Sequence, residues 1–128
     1  MRCVIVDDNP GFVGAARHVL EQDGITVVGV ASTSAEALAC ANDLRPDVML
    51  VDIDLGEENG FELAEQLHRS GLPTPPPLIL ISTHNEDDLA DLIASSPALG
   101  FVAKVNLSGR AVRDLLAGVA ATGNDEHR

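Results

Sequence analysis

Five times along this chain a short apolar run is followed by an amphipathic segment, and this alternation limits the fold more than any other feature. The runs are residues 3–6, 26–31, 48–51, 78–81 and 100–103. Each has strand length and is rich in Val, Ile or Leu without polar alternation, the pattern of a strand buried on both faces. The segments between them have helical spacing. The first presents Phe12, Ala15, Ala16, Val19 and Leu20 on one face. The second opens with Thr33-Ser34-Ala35-Glu36, a capping box. The third spans about 60–69, with Phe61, Leu63, Ala64 and Leu67 inward. The fourth begins at the acids Glu86, Asp87 and Asp88, which suit a helix N-terminus, and carries Leu89, Leu92 and Ile93. The fifth is capped by Ser108 and presents Val112, Leu115, Leu116 and Val119. Strand and helix in strict alternation predict an α/β fold: a doubly wound five-stranded parallel sheet, its five helices placed on both faces by right-handed crossovers.

Composition sets the class. A chain of 128 residues is one domain, large enough to bury roughly 65–70% of its unfolded surface. No apolar stretch is long enough to span a membrane, and Met1-Arg2-Cys3-Val4 leads straight into a strand without a signal-peptide layout, so a cytoplasmic protein is expected. The net charge of −12 disfavours direct contact with nucleic acid or an anionic membrane. Partners are therefore proteins, cations or small phosphorylated molecules. Aromatics are 2% of residues, with no Trp or Tyr, which removes base stacking as a binding mode. Cys3 and Cys40 sit in apolar surroundings and read as small hydrophobes. His18, His68 and His127 lack ligand spacing for zinc. Pro73, Pro75, Pro76 and Pro77 make a stiff connector before the fourth strand, and the polar tail 122–128 is expected to fray.

In doubly wound sheets ligands bind at the carboxyl ends of the strands. Those ends carry Asp7, Asp8, Asp52, Ser82, Thr83 and Lys104. If the first and third strands are neighbours, three carboxylates converge, and such a cluster either raises its pKa values or holds a cation. An all-oxygen site suits Mg²⁺. Asp52 is then a candidate nucleophile toward a phosphoryl group, with Asp7 and Asp8 holding the cation, Ser82 offering a hydroxyl and Lys104 a positive charge.

From Arg2 to about Ala121 the chain closely resembles the receiver domain of two-component response regulators. The matching pieces are Val6-Asp7-Asp8, Asp52-Ile53-Asp54-Leu55 with Gly60 following, Ile81-Ser82-Thr83, and Phe101-Val102-Ala103-Lys104. Their separations also match the family: 44 residues from Asp8 to Asp52, 30 to Ser82 and 22 to Lys104. The resemblance implies a flavodoxin-like (βα)5 receiver over residues 1–121, followed by a flexible tail over 122–128. It implies that Asp52 accepts a phosphoryl group from a sensor histidine kinase or phosphotransfer protein. Mg²⁺ would be bound by Asp7 and Asp8, directly or through water, by Asp52, and by the backbone carbonyl of Asp54. Ser82 and Lys104 would contact the phosphoryl group. Phe101 resembles the switch aromatic; core packing is the other reading of that residue. Phosphorylation would reshape the face of the fourth helix, fifth strand and fifth helix, toward a protein target, an output domain or a homodimer. Beyond transfer to and loss from itself, such a domain is not an enzyme.

Two departures from the family stand out. Val105 follows Lys104 where the family usually has Pro, so the Lys104-Val105 loop is expected to be trans or strained, which bears on the reach of Lys104. Asp54 and His84 lie two residues past Asp52 and Ser82, where the family tunes the lifetime of the aspartyl phosphate. Two rival functions compete. The missing Pro admits a degenerate, phosphate-independent interaction module. Asp52-Ile53-Asp54 also looks like the signature of haloacid dehalogenase-type phosphatases, with Ser82 or Thr83 and Lys104 as later motifs. Those enzymes need an acidic pair after the lysine, whereas here the pair precedes Asp52.

Overall fold

Strand β1 (Arg2–Val6) has Cys3, Val4, Ile5 and Val6 fully buried, because alternate side chains enter two different cores. Cys3 and Ile5 join one cluster with residues of α1 (Pro10–Gln22) and α5 (Gly109–Asp125). Val4 and Val6 join the other, with residues of α2 (Ser34–Leu44), α3 (Gly60–His68) and α4 (Glu86–Ser95). Strands β3 (Val48–Asp52) and β6 (Leu78–Ser82) are likewise buried throughout. With β2 (Thr26–Ala31) and β7 (Gly100–Ala103) they form one parallel sheet of order β2-β1-β3-β6-β7, covered on both faces. This is the doubly wound architecture expected from the alternation of runs. The computed structural model that gives this fold describes residues 1–70, 76–84 and 86–125. Among them no helix is long and apolar enough to cross a membrane.

Register aligns the strand ends. Val6 pairs with Val51, Asp52 with Ile81, and Ser82 with Ala103. The residues that close the four strands therefore stand at one edge of the sheet.

Local signals act as expected, with shifts. Asn9 caps α1 by accepting from Phe12 N at 3.2 Å, with Pro10 opening the helix. Thr33 caps α2 through Glu36 N, but the Glu36 carboxylate reaches back to Ser32 N rather than to Thr33 N. Ser108 accepts from Ala111 N at the start of α5. Two helix faces and one helix end differ from the sequence pattern. Ala15 is exposed and Val13 packs in its place; Leu92 of α4 is exposed while Leu89 and Ile93 pack. Helix α5 runs through Asp125, into the segment read as a polar tail, and residues 126–128 lie outside the described residues, as do Pro73, Pro75 and His127.

Two elements were not anticipated. A short antiparallel ladder joins β4 (Asp54–Leu55) to β5 (Glu58–Asn59) just after Asp52. A 3₁₀ turn, Lys104–Asn106, follows β7. No peptide bond among the described residues is cis, so the Lys104-Val105 peptide is trans, and Val105 is 90% exposed. Both cysteines are free, and burial pushes the Cys3 thiol up to about 12, so it stays protonated.

Candidate functional site

The carboxyl edge of the sheet gathers acids from two strands. Asp7 follows β1 and is 1% exposed; Asp52 closes β3 and is 5% exposed; Asp8 is exposed at the rim. One carboxylate oxygen from each lies within 4.8 Å of the others. Lys104, sent in from the end of β7, bridges the two buried acids. Its Nζ stands 2.8 Å from Asp7 Oδ2 and 3.2 Å from Asp52 Oδ2. The trans Lys104-Val105 peptide thus still lets the ammonium reach the acids. The contact with Asp52 is a hydrogen bond. The contact with Asp7 is an ion pair off the line of one, and that buried oxygen has no hydrogen-bond partner among the described residues. The Phe12 ring of α1 lies on the same ammonium, 4.4 Å from Nζ to its centroid.

Electrostatics follow from this packing. Burial raises the Asp52 pKa above its ordinary value. The charge of Asp7 adds to the rise, while the Asp54 N–H and Lys104 oppose it without reversing it. Burial pulls the Lys104 ammonium down, but Asp7 and Asp52 together outweigh it, and the net direction is up.

The loop after β3 is shaped around Asp52. Asp54 N donates to Asp52 Oδ1 at 3.1 Å, and Gly60 N donates to Ile53 O at 2.8 Å, drawing the start of α3 onto the strand end. Asn59 caps α3 through Phe61 N at 2.7 Å. Glu58 reaches across to accept from Ser34 N at 2.9 Å, tying this loop to α2. At the turn, Gly56 has φ +64°, and a Cβ there would lie 3.3 Å from Asp8 Oδ2.

The remaining candidates occupy the rim and the core. Ser82 is fully buried, and its Oγ accepts from His84 N at 3.0 Å, with no acceptor for its own proton among the described residues. Asp54 and His84 meet across the mouth of the site, with Asp54 Oδ2 3.0 Å from His84 Nε2. Thr83 is exposed. Phe101 on β7 is partly buried against the cluster that holds Leu80 and Leu63.

A family model, the response regulator receiver domain, matches residues 3–114. The chain belongs to that family. The receiver is similar to the signal receiver domain of NarL from Mycobacterium tuberculosis, with a TM-score of 0.80 and 30% identity, covering 91% of this chain and 96% of that one. It is 28% identical over 107 residues to the DNA-binding transcriptional activator EvgA of Escherichia coli, covering 81% of this chain and 50% of EvgA. It is 39% identical over 75 residues to a protein-glutamate methylesterase/protein-glutamine glutaminase of Hahella chejuensis, covering 59% of this chain and 21% of that protein. The receiver thus spans half or less of the length of these curated relatives.

Sequence reasoning missed three contributors to the receiver's site: Phe12, the 54–59 ladder, and the tight approach at Gly60. Helical spacing marks Phe12 only as part of the apolar face of α1. The Asn9-Pro10 helix start, two residues past Asp7, was the signal that would have set Phe12 near the acids.

Proposed function

We propose that this receiver takes a phosphoryl group onto Asp52 from a sensor histidine kinase or phosphotransfer protein in a Mg²⁺-dependent reaction. One observation carries the reading: a buried Asp52 held between Lys104 and two further carboxylates, with one oxygen from each acid inside 4.8 Å. In the transfer a carboxylate oxygen of Asp52 forms a bond to phosphorus as the donor's P–N bond breaks, and the bonding pair leaves on the donor imidazole. Lys104 offsets charge on the transferred group, and Ser82 donates its hydroxyl proton to one of its oxygens.

The donor set fits Mg²⁺. It is all oxygen, and it includes the buried Asp7 Oδ2, which is ion-paired with Lys104 at 2.8 Å and makes no hydrogen bond among the described residues. The carboxylates of Asp7, Asp8 and Asp52 and the backbone carbonyl of Asp54 would hold the ion. When bound, it would neutralise the transferring oxygens, which these acids would otherwise repel. Asp54 and His84, paired over the mouth, would set the lifetime of the aspartyl phosphate.

The pairing of β6 with β7 supports a route for the output. Ser82 sits on β6 beside Ala103 of β7, and Phe101 is on β7. A shift of Ser82 toward the phosphoryl group would pass through these residues to the face of α4, β7 and α5. A protein target, an output domain or a second copy would read that face, and the setting is cytoplasmic. The phosphatase alternative is not favoured, because the receiver family model spans residues 3–114 and the acidic pair Asp7-Asp8 precedes Asp52, at the end of β1.

The test is intact mass after incubation with Mg²⁺ and acetyl phosphate. One phosphoryl adduct is expected on the wild type, and none on Asp52→Asn or without Mg²⁺. An adduct that persists in Asp52→Asn would reject Asp52 as acceptor. No adduct on any sample would favour the degenerate module.

A further inference from the structure

We propose that Phe12 is a positioning residue for Lys104, its ring closing one side of the ammonium so that the charge stays turned to Asp7 and Asp52. The proposal rests on Asp52 as the phosphoacceptor. Lys104 Nζ lies 4.4 Å from the ring centroid, inside the roughly 6 Å over which a ring face attracts a cation. The Lys104 side chain is only 12% exposed, so little water competes with the ring. The two carboxylates complete the set at 2.8 and 3.2 Å. Three partners from two segments, 7–12 and the end of β3, thus hold one ammonium.

The backbone beyond Lys104 does little of this holding. Val105 is 90% exposed, and the 3₁₀ turn that begins at Lys104 has no side-chain cap. A lysine side chain has four rotatable bonds whose freedom opposes a fixed position, so an ammonium held only by charge would exchange between Asp7, Asp52 and water. The ring restricts that exchange. Its own place is set from the acid side of the site. Asn9 N donates to Asp7 Oδ1 at 2.8 Å, Asn9 Oδ1 accepts from Phe12 N at 3.2 Å, and Pro10 opens the helix between them. One short segment therefore carries both an acid and a ring facing the same cation, at a fixed separation. A phosphoryl group arriving on Asp52 would meet a lysine already in place.

The experiment is a double-mutant cycle on the full chain, by urea unfolding of wild type, Phe12→Leu, Lys104→Met and the double variant. The expected coupling is about 5- to 30-fold in the folding equilibrium constant; coupling below about twofold overturns the proposal. A second arm follows adduct formation from acetyl phosphate with Mg²⁺. Phe12→Leu should slow uptake about tenfold, while Phe12→Tyr, which keeps the ring face, stays within about twofold of wild type. Because Phe12 also packs against the α1–α5 cluster, a ring-fluorinated phenylalanine at position 12 serves if Phe12→Leu does not fold. It keeps the shape and drains the negative face, so coupling and rate should both fall. Intact coupling with unchanged uptake in Phe12→Leu overturns the positioning role. Intact coupling with no adduct on wild type overturns the reading of Asp52 and leaves the Phe12–Lys104 pairing standing.

Discussion

Gly60 opens α3 against the end of β3, and the space for its side chain is already taken. A Cβ at Gly60 would overlap the carbonyl oxygen of Asp52 and come within 2.9 Å of Ile53 Cα and 3.1 Å of the Asp52 carbonyl carbon. All three are backbone atoms, so no side chain can rotate away. The β3 end cannot yield either: Asp52 is in register with Ile81, and Ile53 N donates to Ile81 O at 3.0 Å. In Gly60→Ala, α3 must therefore move out by about 1 Å, enough to break the Gly60 N to Ile53 O hydrogen bond. Overpacking of this kind costs about 1–3 kcal/mol, and the lost bond adds about 1 kcal/mol. Alanine returns up to about 1 kcal/mol through helix propensity. With the propensity gain returned in full, the net is about 1–3 kcal/mol. For a chain of this length the unfolding entropy is on the order of 0.27 kcal/mol/K, so the melting temperature should fall by about 4–11 °C. Thermal melts followed by circular dichroism measure it. The control is Gly14→Ala in α1, where a Cβ would meet nothing within 4 Å; it should raise the melting temperature by about 2–4 °C through propensity alone. A Gly60→Ala protein melting within about 2 °C of wild type would show that the close approach is not a real constraint.

Three further outcomes follow from the charges and the rim. The Asp52 pKa is raised, first by burial and then by Asp7, so its favourable contribution to folding is present below the ordinary value of 3.8 and is lost as pH rises through the folded value. Asp52→Asn should therefore be more stable than wild type at pH 7, by about 1–2 kcal/mol, chiefly because no charge has to be buried there and secondly because the repulsion from Asp7 is gone. Urea titrations at pH 7 and near pH 3 should show that gain shrinking in acid; a gain that grows in acid would refute the sign. Lys104→Met leaves Asp7 and Asp52 facing each other without a cation, and should cost about 2–4 kcal/mol at pH 7. Calorimetric titration of that variant should show tighter Mg²⁺ binding than wild type, and weaker binding would contradict the bridging role. Asp54→Ala and His84→Ala, made separately, should each change the decay of the aspartyl phosphate severalfold, read by intact mass over time after the donor is removed. Unchanged decay in both would reject the rim pair as a timer.

The strands, the order of acids along the chain, and the caps at Asn9, Thr33, Asn59 and Ser108 depend on interactions a few residues long. Period, turn chemistry and capping are written locally, so the alternating runs by themselves determined a doubly wound sheet. That sheet in turn determined which residues close its strands at one edge. Tertiary structure alone decided what meets what there. Lys104 reaches Asp7 and Asp52 despite Val105, Phe12 covers its ammonium, and His84 pairs with Asp54. Each of these contacts joins residues 30 or more positions apart in the chain. The exposure of Ala15 and Leu92 belongs with them, since helical spacing marks an apolar stripe but only the neighbouring elements decide how wide a stripe they cover. The space at Gly60 has the same origin: a glycine in the sequence carries no record of the backbone packed against it, and that backbone is in place only once β3, β6 and α3 have assembled.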